Sequence, residues 1–199
     1  MFINHDKKFV YLAISKTGTY SVHNFFGYNS GHPVPAEHHM GVRTLLEKYP
    51  VSKDYFKFAF VRNPWSKLVS TYMDFTLRRK NQYSEFVIHD KPLLSEFENF
   101  EDFCLRLKDS VWIKDIFFIP QIDLVTTEEG IPINFIGKFE NMNNDFKVVC
   151  NKLNLGYRPL THANKGLYNK DYRTYYSNKA KLAIEELYRD DIEIFNYEF

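Results

Sequence analysis

Apolar residues in this chain fall into two kinds of block. Short, nearly unbroken apolar runs at 9–15 and 55–61 predict buried strands, and 134–138 is a third strand candidate. Apolar positions spaced by three and four predict helices over 19–26, 41–49, 64–79, 100–108, 141–153 and 178–190. Strands that alternate with helices predict an α/β fold, a mainly parallel sheet flanked by helices. Ligands on such sheets sit outside the carboxyl ends of the strands. The polar stretch 81–97 reads either as a loop over a substrate or as a long surface connection. No repeat, low-complexity tract or linker interrupts the pattern, and a single domain over 1–199 is expected.

The first strand runs into Ser15-Lys16-Thr17-Gly18-Thr19-Tyr20-Ser21, a hydroxyl-rich turn with one Lys and one Gly ahead of a helix. Such a turn can cradle a phosphate or sulfate ester. Gly18 allows close backbone approach, Lys16 adds a full charge, and Thr17, Thr19 and Ser21 offer hydroxyls. It can equally be a plain strand-to-helix turn. It is not a Walker A loop, because the Lys precedes the Gly and no Gly lies in the turn before it. The second strand runs into Arg62-Asn63-Pro64-Trp65, where Asn63 suits a helix cap and Pro64 the first helical position. Arg62 there can grip a phosphate in two-pronged fashion or pair with a carboxylate. Ser70 lies two turns along the same helix and can lend a hydroxyl or be surface polarity.

Together these segments resemble the sulfotransferases that use 3′-phosphoadenosine 5′-phosphosulfate. Lys16, Thr17, Gly18, Thr19, Tyr20 and Ser21 resemble the family's 5′-phosphosulfate loop, and Arg62-Asn63-Pro64 with Ser70 its 3′-phosphate motif. Three later segments are similar to the carbohydrate-type branch, which includes the heparan sulfate 2-O and chondroitin enzymes. They are 135–141 followed by Asp145-Phe146, then His162-Ala163-Asn164-Lys165, then Tyr188-Arg189-Asp190-Asp191 leading to Phe195-Asn196-Tyr197. The resemblance implies a P-loop-like sulfotransferase fold, with this donor and its product adenosine 3′,5′-bisphosphate as ligands and no metal. Tyr20 departs from the family, which commonly has a small hydroxyl residue there. Lys165, before Gly166, is a further candidate for the 3′-phosphate or a solvated turn residue.

Sulfuryl transfer leaves negative charge on the bridging oxygen, and the family motif puts Lys16 beside it. The acceptor hydroxyl must lose a proton, a task suited to His. Of the seven His residues, His38 and His39 fall between the two motifs, just before the helix that starts at Gly41. The carbohydrate-type branch has a His there. Setting Leu45 on the family's apolar helical position makes His39 the catalytic residue; the other register makes it His38. Both can also be exposed loop residues. His5, His23, His32, His89 and His162 read as surface or packing residues, although His162 and Asn164 can also line the nucleotide edge.

Composition narrows the partners. A net charge of +1 excludes a broad basic field for nucleic acid, so any anion site must be local. The resemblance to the carbohydrate-type branch implies a glycan or another hydroxyl-bearing small molecule as acceptor. Cys104 and Cys150 lack metal-type spacing and suit reduced, core-packing thiols of a cytoplasmic protein. No apolar run approaches a membrane span, and the first residues lack the order of a signal peptide. The expectation is a soluble enzyme of bacterial or viral type, or a shortened chain. A nucleotide or sugar kinase is the enzymatic alternative, weakened by the missing Walker A loop and the lack of an acidic magnesium pair. A nucleotide-binding module with lapsed catalysis is the other. The acceptor, the position sulfated and the oligomeric state are not legible in the sequence.

Overall fold

The structure, a computed structural model, describes residues 1–27, 39–79, 94–161 and 171–199. His38, Lys165 and most of the 81–97 stretch lie outside the described residues. The chain packs as two compact units, one of Met1–Arg62 with Pro120–Lys165 and one of Asn63–Ile119 with Gly166–Phe199.

The first unit holds a four-stranded mixed sheet in the order β1-β2-β3-β4. Its strands are β1 (Phe2–Asn4), β2 (Phe9–Leu12), β3 (Phe56–Val61) and β4 (Phe135–Lys138). β2, β3 and β4 run parallel, in register Tyr11↔Phe58 and Phe60↔Gly137, and β1 pairs antiparallel with β2. Every residue of β2 and nearly all of β3 are buried, as unbroken apolar runs in a parallel sheet require. The helices α1 (Thr19–Phe25) and α2 (Val42–Lys48) lie between β2 and β3 in the chain. A five-residue helix α5 (Gln121–Val125) precedes β4, and α6 (Met142–Lys152) follows it. Phe9, Tyr11, Phe58 and Phe60 from the sheet pack with Val22 of α1 and with Phe146, Val149 and Cys150 of α6.

Gly137 stands opposite Phe60. A Cβ there would lie 2.5 Å from the Phe60 ring and 3.0 Å from the Asp145 Cβ, so only glycine fits. Asp145 then takes the Lys138 N–H at 2.6 Å and the Asn141 side-chain amide at 2.8 Å. These bonds set the turn 138–141 between β4 and α6.

The second unit is built on α3 (Pro64–Met73), which continues as a π-helical stretch over Asp74–Arg79. Asn63 caps it, its Oδ1 accepting from the Ser66 N–H at 3.2 Å, with Pro64 in the first turn. Helices α4 (Phe100–Arg106), α7 (Asn178–Leu187) and α8 (Arg189–Ile194) complete the unit. Its core gathers Trp65, Leu68, Phe75, Phe103, Trp112 and Phe118. The helix expected over 178–190 breaks at Tyr188, whose hydroxyl donates to the Phe118 carbonyl at 2.6 Å. Both cysteines are free and buried, one in each core, and burial raises each thiol's pKa.

Candidate functional site

The turn from β2 to α1 is built on two left-handed backbone positions. Lys16 has φ 64° and Gly18, the N-cap of α1, has φ 79° and ψ 22°. The Gly18 conformation is one an L side chain resists. A side chain would also have to displace Met142, since a Cβ would come 2.6 Å from the Met142 Sδ and 3.4 Å from the Phe139 ring. The turn after β4 thus packs directly on the loop.

The Thr hydroxyls serve the loop itself. Thr17 and Thr19 both donate to the Ile14 carbonyl at 2.9 Å, and both residues are buried. Their protons are used inside the turn. The Tyr11 hydroxyl is fully buried beside them without a hydrogen bond of normal geometry. Burial raises its pKa, and the Thr19 and Thr17 hydroxyls oppose that only in part. Ser21 holds the first turn through its N–H, which donates to the Gly18 carbonyl at 2.9 Å. Tyr20 is 41% exposed on that turn.

Arg62, one residue beyond β3, reaches this loop. Its Nη1 donates to the Lys16 carbonyl at 3.1 Å, bridging 46 residues of sequence. Its guanidinium lies 4.4 Å above the centre of the Phe139 ring. Its peptide is clasped by Gln121, whose Oε1 accepts from the Arg62 N–H at 2.9 Å and whose Nε2 donates to the Arg62 carbonyl at 2.8 Å. The charge of Arg62 is therefore held at the carboxyl ends of β2 and β3, beside the Lys16–Gly18 turn.

His39 reaches the same loop from the other side of the sequence. Its Nδ1 lies 2.7 Å from the Ala13 carbonyl. A carbonyl only accepts, so Nδ1 carries a proton, and in the neutral imidazole the lone pair is at Nε2. Two residues on, Gly41 packs against the backbone of Leu124, and Arg43 Nε donates to the Thr126 carbonyl at 3.2 Å. The segment bearing His39 is thus anchored on α5. His23, in α1, is buried against Tyr11, ring to ring at 5.6 Å. Burial pushes its pKa down to about 4, helped by the chain's amino group and His39.

Lys16, Thr17, Gly18, Thr19, His39 and Arg62 are thereby gathered in one unit. Ser70 is buried on α3 in the other. Sequence reasoning missed Gln121, Phe139 and Met142 as parts of this site. The 135–145 segment drew notice only by resemblance; nothing in its pattern says that a ring and a thioether would support the loop. Gln121 sits in a short apolar stretch whose burial was the one available signal.

The groups gathered at this loop suit an anion. The first turn of α1 contains no acidic residue, and the Lys16–Gly18 turn and Arg62 bring an ammonium-bearing residue and a guanidinium to one place. Among the described residues, no cluster of three or more His, Cys, Asp or Glu is placed to hold a metal ion. No helix among them is long and apolar enough to cross a membrane.

The profile described as "Sulfotransferase family" matches residues 1–198. An uncharacterized protein of Archaeoglobus fulgidus is 32% identical over 101 residues, which are 51% of this chain and 69% of that protein. No solved structure matches.

Proposed function

The chain belongs to the sulfotransferase family, and from that membership we propose that it moves a sulfuryl group from 3′-phosphoadenosine 5′-phosphosulfate to an acceptor hydroxyl, on a carbohydrate or a similar small molecule. The observation that carries the reading is the 3.1 Å bond from Arg62 Nη1 to the Lys16 carbonyl. It joins the two candidate phosphate-binding segments at the carboxyl ends of adjacent parallel strands, where α/β sheets bind ligands.

In this reading the Lys16–Ser21 turn holds the 5′-phosphosulfate and Arg62 holds the 3′-phosphate. The bound nucleotide supplies the sulfuryl group and leaves with an added negative charge. Lys16 balances that charge in a partly dry setting. His39 accepts the proton of the acceptor hydroxyl at Nε2, because its bond to the Ala13 carbonyl commits Nδ1 as the donor. That bond also orients the ring. The chemistry asks for no metal, since Lys16 and Arg62 provide the positive charge.

The test is a thermal-shift series. Adenosine 3′,5′-bisphosphate should raise the melting temperature by several degrees at excess ligand, and more than 5′-AMP or ATP does. An equal response to 5′-AMP would remove the 3′-phosphate site and with it this reading. Labelled donor incubated with a panel of glycans, peptides and phenols then identifies the acceptor class.

A further inference from the structure

We infer that Gln121, which lies outside both phosphate motifs, is a positioning residue that holds Arg62 in place for the nucleotide's 3′-phosphate; this rests on the sulfotransferase reading of Arg62. Gln121 is fully buried at the start of α5. Its carboxamide spans the Arg62 residue, taking the N–H at 2.9 Å and giving a proton to the carbonyl at 2.8 Å. Arg62 lies past the last β2–β3 register pair, Leu12↔Ala59, and by alternation from Phe56, whose N–H donates to the Lys8 carbonyl at 3.0 Å, its peptide faces the β2 side. The Gln side chain therefore continues the ladder of hydrogen bonds by one step where the neighbouring strand has ended. Only a side chain that both donates and accepts at that length can do this, so neither Glu nor an apolar residue is equivalent.

The clasp matters because of what Arg62 does next. Its guanidinium is set by the Lys16 carbonyl at one edge and by the Phe139 ring on one face. Both contacts depend on where the Arg62 peptide points. A peptide free to turn would swing the guanidinium, and a phosphate grip has little tolerance for such a change. The same short helix also receives Gly41 against Leu124 and Arg43 on the Thr126 carbonyl. Gln121 thus fixes Arg62 to the element that anchors the His39 segment.

The experiment is a double-mutant cycle on nucleotide binding, followed by calorimetry with adenosine 3′,5′-bisphosphate and 5′-AMP. The proteins are the wild type, Gln121→Met, Arg62→Ala and the double variant. The wild type should prefer the bisphosphate. Gln121→Met should weaken the bisphosphate roughly 10-fold and 5′-AMP by clearly less, and should add nothing in the Arg62→Ala background, as expected of two residues acting through one contact. Equal losses for both nucleotides, an undiminished loss in the Arg62→Ala background, or no loss overturns the proposal and leaves the sulfotransferase reading standing. A wild type with no preference for the bisphosphate overturns the reading itself, before any variant is compared. If Gln121→Met does not fold, Gln121→Glu keeps the length and one acceptor while removing the donor, and should show the same selective loss. The wild type gives a check that needs no substitution: saturating bisphosphate should slow exchange of the Arg62 amide more than 5′-AMP does, and equal protection counts against the clasp.

Discussion

Replacing Gly18 by alanine tests the architecture of the loop without reference to any substrate. The backbone there has φ 79° and ψ 22°, a left-handed conformation that costs an L residue about 1–2 kcal/mol. The new Cβ would also lie 2.6 Å from Met142 Sδ and 2.8 Å from its Cε. These are the far atoms of a flexible side chain, so Met142 can turn aside at an off-rotamer cost of roughly 0.5–1.5 kcal/mol. The backbone part is the larger at mid-range, and the two sum to about 1.5–3.5 kcal/mol. For a chain of this length that lowers the melting temperature by roughly 3–14 °C. Urea unfolding followed by circular dichroism measures the change in free energy directly. Two companions separate the parts. Gly18→Asn keeps the clash but tolerates the left-handed backbone better, so it should lose less than Gly18→Ala. In a Met142→Ala background the clash is gone, and Gly18→Ala should then cost only the backbone part. Unchanged stability of Gly18→Ala, or Asn and Ala equal in a background that retains Met142, would show that the loop does not adopt this conformation in solution.

His39→Ala should lower turnover by about 10²–10⁴-fold while leaving adenosine 3′,5′-bisphosphate affinity near wild type, since the proposed function gives nucleotide binding to Arg62 and the Lys16 turn; full activity would end the general-base assignment, and loss of activity in His38→Ala alone would shift the register by one. His23 predicts an acid sensitivity. Its folded pKa is pushed from 6.5 down to about 4, so between those values the unfolded chain binds more protons and stability falls as pH drops through that window. Unfolding free energies measured from pH 7 to pH 4 should decline in the wild type, and the decline should be shallower in His23→Asn. The same slope in both proteins would place the titrating group elsewhere.

Much of the sheet and the helices was legible because it is local. The runs at 9–15 and 55–61 are almost wholly apolar without alternation, and that pattern suits strands covered on both faces. Asn63 and Pro64 mark the start of α3 for reasons that lie within one turn of chain. Local order failed where pairing partners decide. The three residues of β1 carry no periodic signal, and only their register with β2 makes them a strand. Gln121–Val125 is too short for a helical period to register.

The candidate site divides the same way. Lys16, Gly18 and Arg62 could be singled out from residue type and order, because a glycine turn after a strand and an arginine before a capped helix are local chemical statements. Their convergence could not. It follows from β2 and β3 lying side by side in parallel, which brings the Lys16 carbonyl to Arg62 across 46 residues. The sequence offered two histidines for one role; the structure describes His39, set on the Ala13 carbonyl so that the neutral imidazole has its lone pair at Nε2. Gln121, Phe139 and Met142 had no mark that pointed to these contacts. Their roles arise from contacts that only the packed chain makes: a carboxamide matched to a peptide, a ring beneath a guanidinium and a thioether against a glycine. Sequence alone therefore determined the kinds of group available for binding an anion, and tertiary structure decided which of them meet, because hydrogen bonds and close packing act over a few ångströms whatever the separation along the chain.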